Sequence, residues 1–212
     1  TSDSDNYYTE KLIKLDGMPC GFDEIIVPRK EYDRNYFGIP MNCGIVNLMH
    51  QAIKFHPDWD SILEQIAQHC ENIIFIISSN KSSDECKLLE RLERTAPTLI
   101  AKSKIFERMA KAKYLGLLNC SDVMLDPLYR GCGTTAFDAL GVGLPIVTMP
   151  GMHSRSRSVY GLYRIMDIEN PPIASSSSEY TEWCTRITSK EEYKSLSRED
   201  ILNGYSKISE SK

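Results

Sequence analysis

The most constraining feature of this sequence is a glycine-containing turn, residues 126–138, which separates a short apolar run from a helical segment. The apolar run Val123–Leu125 is typical of a strand that is buried on both faces. Gly131 and Gly133 allow the backbone to turn tightly, and Thr134 and Thr135 then begin a helix. The order strand, glycine loop, helix predicts an α/β chain built on parallel strands.

The start of this helix also predicts a binding site. The first amides of a helix and its dipole favour a bound phosphate. Asp138 lies one turn after Thr134 and on the same face, where its carboxylate could accept hydrogen bonds from the two hydroxyls of a ribose. The layout predicts a site for a nucleoside diphosphate, although Gly-x-Gly-Thr-Thr also occurs in plain turns that bind no ligand.

The remaining sequence alternates between strand and helix patterns. The candidate strands are Ile45–Leu48, Ile73–Ile77, Thr98–Ala101, Val123–Leu125 and Ile146–Thr148. Helical patterns cover Asp58–Cys70, Asp84–Thr95 and Lys111–Asn119, and a further element runs through Ser158–Met166. Such alternation predicts a Rossmann-like, doubly wound parallel sheet with helices on both faces.

Ligands of doubly wound sheets bind outside the carboxyl ends of the strands. Lys54 follows the first predicted strand, Lys111 and Tyr114 follow the predicted Thr98 strand, and Thr134 follows the Val123 strand. We therefore expect these four residues to meet at one edge of the sheet.

Several motifs resemble one known family in their order and spacing. They are Tyr8–Leu15, Gln51–Asp60, Leu125-Asp126-Pro127, Gly133-Thr-Thr-x-x-Asp138, and Leu144–Gly151 followed by Arg157. Together they resemble the C-terminal half of the O-GlcNAc transferase and SPINDLY group of glycosyltransferases. The resemblance runs from about Tyr8 to the end of the chain. It implies the C-terminal, donor-binding lobe of a two-lobed GT-B glycosyltransferase, followed by C-terminal helices.

The resemblance also implies roles for individual residues. The donor-binding residues would be Lys54, Lys111, Tyr114, Gly133, Thr134, Thr135 and Asp138. Lys54 would also act in catalysis, because it matches the lysine that neutralises the donor diphosphate. Thr134 and Thr135 would bind phosphate, Asp138 the ribose, and Lys111 and Tyr114 the base.

Some residues depart from the family pattern or extend it. Animal O-GlcNAc transferase has a histidine where this chain has Gly133, which leaves a UDP-sugar and a GDP-sugar both open as the donor. Leu117 stands where the animal enzyme has an arginine. His153 and Arg157, which follow the Ile146 strand, are two further candidate site residues.

The function implied is transfer of GlcNAc or fucose from the donor to serine or threonine of a protein. No cofactor beyond the nucleotide-sugar is implied. The acceptor protein would bind through an N-terminal lobe that this chain does not contain, so the isolated lobe is not expected to be fully active. Two alternatives stay open: an isomerase like the nucleotide-sugar epimerases, and a non-catalytic nucleotide-binding module.

Composition excludes several other classes. A net charge of −4 over 212 residues gives no support to nucleic-acid binding. No apolar stretch approaches the roughly 20 residues that cross a bilayer, so no membrane partner is expected. No histidine pair has metal-ligand spacing, and no metal site is predicted. Seven cysteines without a CxxC pair indicate reduced thiols in a cytoplasmic or nucleocytoplasmic protein.

The sequence suggests three regions. Residues 1–15 read as a linker, 16–170 as a nucleotide-sugar-binding domain, and 171–212 as a loop with C-terminal helices. Those helices are predicted at Glu179–Ser189 and Glu191–Ile208. Trp183, Tyr193 and Tyr205 would either contact another lobe or close the core of this domain.

Overall fold

The fold is built on a sheet of five parallel strands. The computed structural model describes residues 6, 8–13, 30–189 and 196–210. The strands are β1 Gly44–Leu48, β2 Ile73–Ser78, β3 Ser103–Phe106, β4 Val123–Leu125 and β5 Ile146–Val147, in the order β3-β2-β1-β4-β5. The strand order reverses between β1 and β4, and ligands of such sheets bind at that point. The predicted Rossmann-like parallel sheet is confirmed.

Eight helices connect and cover the described strands. They are α1 Pro57–His69, α2 Ser83–Thr95, α3 Pro97–Ala101, α4 Lys111–Cys120, α5 Thr134–Gly141, α6 Ser158–Met166, α7 Ser177–Ser189 and α8 Arg198–Glu210. Local chemistry accounts for two of the starts. The His56 side chain caps α1 by accepting a hydrogen bond from the Asp58 amide, and Ser82 and Glu85 form a capping box at α2.

The strand predicted at Thr98–Ala101 is wrong, because this segment is the helix α3. Pro97 occupies the first turn of that helix, where proline is favoured, and the Glu64 carboxylate accepts hydrogen bonds from the amides of Thr98 and Leu99. The actual strand is β3, whose Ile105 is exposed. A polar strand at the sheet edge carries little hydrophobic signal, whereas the neighbouring helix α3 is apolar and resembles a buried strand in sequence.

The last helix begins seven residues later than predicted. Ser197 accepts a hydrogen bond from the Asp200 amide, and the Asp200 carboxylate accepts one from the Ser197 amide. This reciprocal cap starts α8 at Arg198 rather than at Glu191. Tyr193 and the rest of 190–195 lie outside the described residues, as does most of the predicted linker 1–15.

Side chains alternate between the two faces of the sheet. Along β1, Val46 and Leu48 pack in a core cluster with α1 and α7, whereas Ile45 packs in a cluster on the opposite face. In β4, Leu125 joins the first cluster and Met124 joins another cluster with α5, α6 and α8. Both faces of the sheet are therefore covered by helices, as doubly wound sheets require.

The C-terminal helices close the core of this same domain. Tyr180 of α7 is fully buried in the first cluster, and Tyr205 of α8 is buried with α5 and α6. Trp183 packs against the edge of the first cluster. The segment before α7 is tied to the sheet, because the Ala174 amide donates to the Thr148 carbonyl. Among the described residues, no helix is long and apolar enough to span a membrane.

Candidate functional site

A cleft of about 510 Å³ opens at the carboxyl ends of the strands, beside the point where the strand order reverses. Its walls come from the loops after β1, β2 and β3 and from helices α2, α4 and α5. The lining residues are Met49, His50, Gln51, Ser78, Asn80, Glu85, Arg108, Met109, Lys111, Tyr114, Thr135 and Asp138. Its volume lies in the range of small-molecule sites in proteins.

Lys54 binds the glycine loop next to this cleft. It lies in a short 3₁₀ turn, Ala52–Lys54, after β1. Its ammonium donates hydrogen bonds to the carbonyl oxygens of Gly131 at 2.9 Å and Cys132 at 2.8 Å. Burial lowers the pKa of the Lys54 ammonium. The lysine and the amino end of α5 therefore lie side by side, although Lys54 itself does not line the cleft.

The loop takes its shape from a glycine at the cap of α5. Gly133 has φ of 61° and ψ of −128°, a backbone conformation that is essentially restricted to glycine. Thr135 donates its hydroxyl to the Cys132 carbonyl at 2.7 Å and faces the cleft, whereas Thr134 is exposed at the end of the helix. The Ala136 amide donates to the Gly133 carbonyl at 3.0 Å, and the amides of Thr134 and Thr135 precede it at the start of the helix, where the amides of a helix generally lack an acceptor within it.

Asp138 and Lys111 form an ion pair in the lining of the cleft. The Lys111 ammonium lies 2.5 Å from the Asp138 carboxylate, and the same nitrogen lies 5.9 Å from the centre of the Tyr114 ring. Asp138 comes from α5 and Lys111 and Tyr114 come from the start of α4. The three residues expected to contact ribose and base are thus brought together at one end of the cleft.

Tyr114 is held tightly in the structure. Its ring packs against core residues on the face of the sheet that α4 covers, and its hydroxyl is buried. Burial raises the pKa of this hydroxyl, so it stays protonated. The ring contributes to the wall of the cleft, which leaves stacking on a base a prediction.

His153 and Arg157 are not brought to this cleft. His153 is exposed in the loop after β5, and its carbonyl accepts a hydrogen bond from the Ser156 amide. The Arg157 guanidinium donates to the Gly151 carbonyl at 2.9 Å and lies 4.9 Å from the centre of the Tyr160 ring. Both partners lie within residues 151–160 and outside the lining of the cleft.

Sequence reasoning missed His50, a buried member of the cleft wall. Its Nε2 lies 2.8 Å from the Leu125 carbonyl, so that nitrogen carries the proton. Burial lowers the pKa of the imidazole to about 4, and the charge of Lys54 adds to the effect. His50 is therefore a neutral acceptor at physiological pH. Its place directly after β1 was the only signal in the sequence.

The polar wall on the β2 and β3 side was also missed. The Asn80 side chain accepts a hydrogen bond from the Arg108 amide at 2.7 Å, and the Glu85 carboxylate accepts one from the Asn80 amide at 2.8 Å. Because the third strand was predicted at Thr98–Ala101, the loop that carries Arg108 was not expected to follow directly after a strand. The described residues contain no group of three or more side chains arranged to hold a metal ion.

One curated relative was found by sequence. The UDP-N-acetylglucosamine–peptide N-acetylglucosaminyltransferase of Giardia intestinalis is 22% identical over 176 residues. The match covers 82% of this chain and 12% of the relative. No protein-family profile matches the chain.

Two solved structures show the same fold. A point mutant of the Thermobaculum terrenum O-GlcNAc transferase superposes with a TM-score of 0.79 at 19% identity, over 98% of this chain and 39% of that one. The Anabaena protein HepE, in complex with UDP and glucose, gives 0.67 at 16% identity, over 90% and 51%. In sequence and in fold this chain resembles the O-GlcNAc transferases, and its sheet is that of one lobe of a GT-B glycosyltransferase.

Proposed function

We propose that this chain is the donor-binding lobe of a glycosyltransferase that transfers GlcNAc or fucose from a nucleotide-sugar to serine or threonine of a protein. One observation carries the proposal. Lys54, the glycine loop 131–133 and the start of α5 adjoin a single cleft that Asp138 also lines. Residues from β1 and β4 thus converge where a pyrophosphate-linked nucleoside would need both cationic and hydroxyl-binding groups.

Each group has a distinct task in this proposal. The diphosphate lies against the α5 amides, and Lys54 donates its remaining N–H to a phosphate oxygen. The ribose hydroxyls donate to the Asp138 carboxylate, which its ion pair with Lys111 orients. The base lies beyond the ribose, toward Tyr114 and Met109.

The same groups would lower the barrier to transfer. As the acceptor oxygen bonds to the anomeric carbon and gives up its hydroxyl proton to a general base or to solvent, the bond from that carbon to the phosphate oxygen breaks. Negative charge then develops on the departing nucleoside diphosphate. The Lys54 ammonium and the partial positive charge at the α5 terminus stabilise this charge more strongly in the transition state than in the bound donor. A second lobe, outside this chain, would hold the acceptor.

We propose UDP-GlcNAc as the first donor to test. The name of the Giardia relative and the ligands of the Anabaena structure both involve UDP. Gly133 differs from the histidine of the animal enzymes, so GDP-fucose is the second donor to test.

The experiment measures thermal stability of the purified chain with UDP, GDP, UDP-GlcNAc and GDP-fucose. A ligand at 100 times its dissociation constant stabilises a protein by about 2.7 kcal/mol. We expect UDP and its sugar to raise the unfolding temperature and adenosine diphosphate to have a smaller effect. If none of the four ligands shifts unfolding, the proposal is wrong.

Activity is tested on a chain that includes the second lobe, with radiolabelled donor and a protein acceptor. Label in protein supports transfer, and loss of label after Lys54→Met assigns the role of Lys54. Conversion of the free nucleotide-sugar without transfer would indicate an isomerase instead. Binding with neither reaction would indicate a non-catalytic module.

A further inference from the structure

Asp126 is a buried carboxylate directly after β4, with 2% of its surface exposed. Its Oδ1 accepts a hydrogen bond from the Cys132 amide at 2.6 Å, and its Oδ2 accepts one from the Thr148 hydroxyl at 2.7 Å. It thus joins the glycine loop to the residue that follows β5. Burying a charge lowers the free energy of unfolding unless other groups compensate it. The burial of this carboxylate therefore calls for a structural explanation.

The glycine loop wraps closely around Asp126. A Cβ added at Gly131 would lie 2.9 Å from Asp126 Oδ1, a distance that side chains essentially never adopt. The Gly131 amide donates to the Arg155 carbonyl at 3.0 Å, which holds the loop from its outer side. Only glycine therefore fits between the carboxylate and the β5 loop.

Lys54 and Asp126 bind the same peptide group from opposite sides. The peptide between Gly131 and Cys132 offers its carbonyl oxygen to the Lys54 ammonium and its N–H to the Asp126 carboxylate. The C=O and N–H of a planar trans peptide point in opposite directions. The peptide is therefore fixed between a cation and an anion, and its dipole is aligned with both.

We propose that Asp126 is a positioning residue for the phosphate site, which orients the 131–132 peptide and supplies the counter-charge that keeps Lys54 protonated. This inference rests on the proposed nucleotide site but concerns a residue that does not line the cleft. Asp126 acts through the peptide and through Lys54, without touching the ligand.

The charges around Lys54 agree with this role. Burial lowers the pKa of Lys54, Arg130 adds to the lowering, and Cys132 and Asp126 oppose it. Burial raises the pKa of the Cys132 thiol well above its usual range, so the thiol is neutral near pH 7. His50 is also neutral there, because burial lowers its pKa to about 4. Burial raises the pKa of the Asp126 carboxyl, whereas the hydrogen bonds from Thr148 and Cys132 and the charge of Lys54 oppose that rise. The ionised carboxylate and the Lys54 ammonium therefore stabilise each other's charge.

The C-terminal part of the chain holds Asp126 in place. The Tyr180 hydroxyl of α7 donates to the Asp126 carbonyl at 2.9 Å. Thr148 is completely buried and is bonded to the segment before α7 through the Pro172 and Ala174 backbones. The position of the carboxylate therefore depends on the packing of α7 against the sheet.

The test compares Asp126→Asn with Thr148→Val, two changes of nearly constant shape. Asp126→Asn removes the carboxylate, whereas Thr148→Val keeps it and removes one of the hydrogen bonds that oppose the effect of burial on its pKa. The first readout is the pKa of Lys54 without ligand, from NMR of ¹³C-labelled lysine side chains with Lys54→Gln to assign the signal. We expect Asp126→Asn to lower the pKa of Lys54 by about one unit or more, and Thr148→Val to change it little.

The second readout is the dissociation constant of UDP over a pH range that brackets the Lys54 pKa found in the first readout. Affinity should fall as the pH rises through the pKa of Lys54, and Asp126→Asn should start this fall at lower pH. At pH above the pKa of Lys54 in both chains, a pKa lower by one unit should weaken binding about tenfold. Thr148→Val should weaken binding by a similar factor at every pH.

An unchanged Lys54 pKa in folded Asp126→Asn would overturn the inference. If Asp126→Asn does not fold, Thr148→Val decides, because UDP affinity equal to that of the natural chain would overturn the positioning role. If the natural chain binds neither UDP nor GDP at any pH, the proposed function fails, whereas the ligand-free titration of Lys54 still decides the role of Asp126.

Discussion

The ammonium nitrogen of Lys54 lies 2.9 Å from the carbonyl oxygen of Gly131, which is 77 residues further along the chain. Lys54 ends a short turn after β1, and Gly131 lies in the loop between β4 and α5. β1 and β4 are neighbours in the sheet, so their carboxyl ends bring the two residues together. The contact places the cation beside the helix end that would receive a phosphate.

Replacing Lys54 by methionine should weaken UDP binding by roughly 10- to 100-fold, since a hydrogen bond between charged groups contributes about 1.5–3 kcal/mol. The methionine keeps most of the apolar stem, so the fold should survive. Isothermal titration calorimetry at pH 7 measures the effect. Lys87→Met, at an exposed position of α2, is the matched control and should leave affinity unchanged. Equal affinities in the two variants would remove Lys54 from the site.

Asp138→Asn should separate recognition of the ribose from recognition of the diphosphate. An amide in place of the carboxylate accepts ribose hydroxyls less well, so UDP should bind about tenfold more weakly. Inorganic pyrophosphate should bind with nearly unchanged affinity, because Lys54 and the α5 amides remain. Competition calorimetry with the two ligands measures both constants.

Stability should change little in this variant, because Lys111, the partner of Asp138, is mostly exposed and such pairs contribute about 1 kcal/mol or less. Lys111→Gln is the companion variant, because it removes the ion pair between Lys111 and Asp138 by replacing the lysine instead of the aspartate. A parallel loss of UDP and pyrophosphate affinity in Asp138→Asn would contradict a specific contact with the ribose.

Gly133→Ala should destabilise the chain by about 1–3 kcal/mol, because its backbone conformation is strained for any residue with a side chain. Crowding plays no part, since an added Cβ at Gly133 would meet no atom within 4 Å. Gly161 is the matched control, because it has equally open surroundings but lies within the helix α6. Gly161→Ala should stabilise by up to about 1 kcal/mol. Urea denaturation of the two variants checks this, and similar free energies of unfolding would refute the backbone explanation.

His50 should make the free energy of unfolding depend on pH below neutrality. Its pKa is about 4 in the folded chain and 6.5 in the unfolded chain. The unfolded state therefore takes up a proton as the pH falls below 6.5, while the folded state resists it until about pH 4. Stability attributable to the neutral ring is present at pH 7 and is lost as the pH falls, by about 2 kcal/mol between pH 7 and pH 5.

Denaturant titrations at pH 7 and pH 5 measure this loss, a range that lies above the ordinary pKa of most carboxyl groups. The His50→Gln variant should lose about 2 kcal/mol less than the natural chain over the same interval. His69→Gln, which removes an exposed histidine of α1, should keep the full dependence. An undiminished pH dependence in His50→Gln would show that other groups cause it.

Much of the fold could be predicted where the signal is local. The apolar runs of β1, β2, β4 and β5 are buried on both faces and were recognised from hydrophobicity alone. The third strand was not predicted, because β3 is polar and lies at the sheet edge, while the adjacent α3 is more apolar. The start of α8 depended on hydrogen bonds between Ser197 and Asp200, which the apolar periodicity does not reveal.

Only part of the candidate site could be predicted from local sequence signals. Lys54, Thr135 and Asp138 were named from motifs, and the structure places them around one loop and one helix end. Asp126 and His50 were not given roles, because their importance comes from burial and from partners in distant segments. A carboxylate directly after a buried strand was visible in the sequence, but its bond to Thr148 was not.

By itself, the sequence determined the parallel architecture, the glycine loop and the resemblance to O-GlcNAc transferases, because periodicity, turn residues and motif spacing are properties of short segments. Only the tertiary structure decided that one peptide group lies between Lys54 and Asp126, and that Lys111 pairs with Asp138. It also decided that the Tyr180 hydroxyl of α7 donates to the Asp126 carbonyl at the start of the glycine loop. Those contacts join residues far apart in the chain, and their distances depend on how the strands and helices pack together.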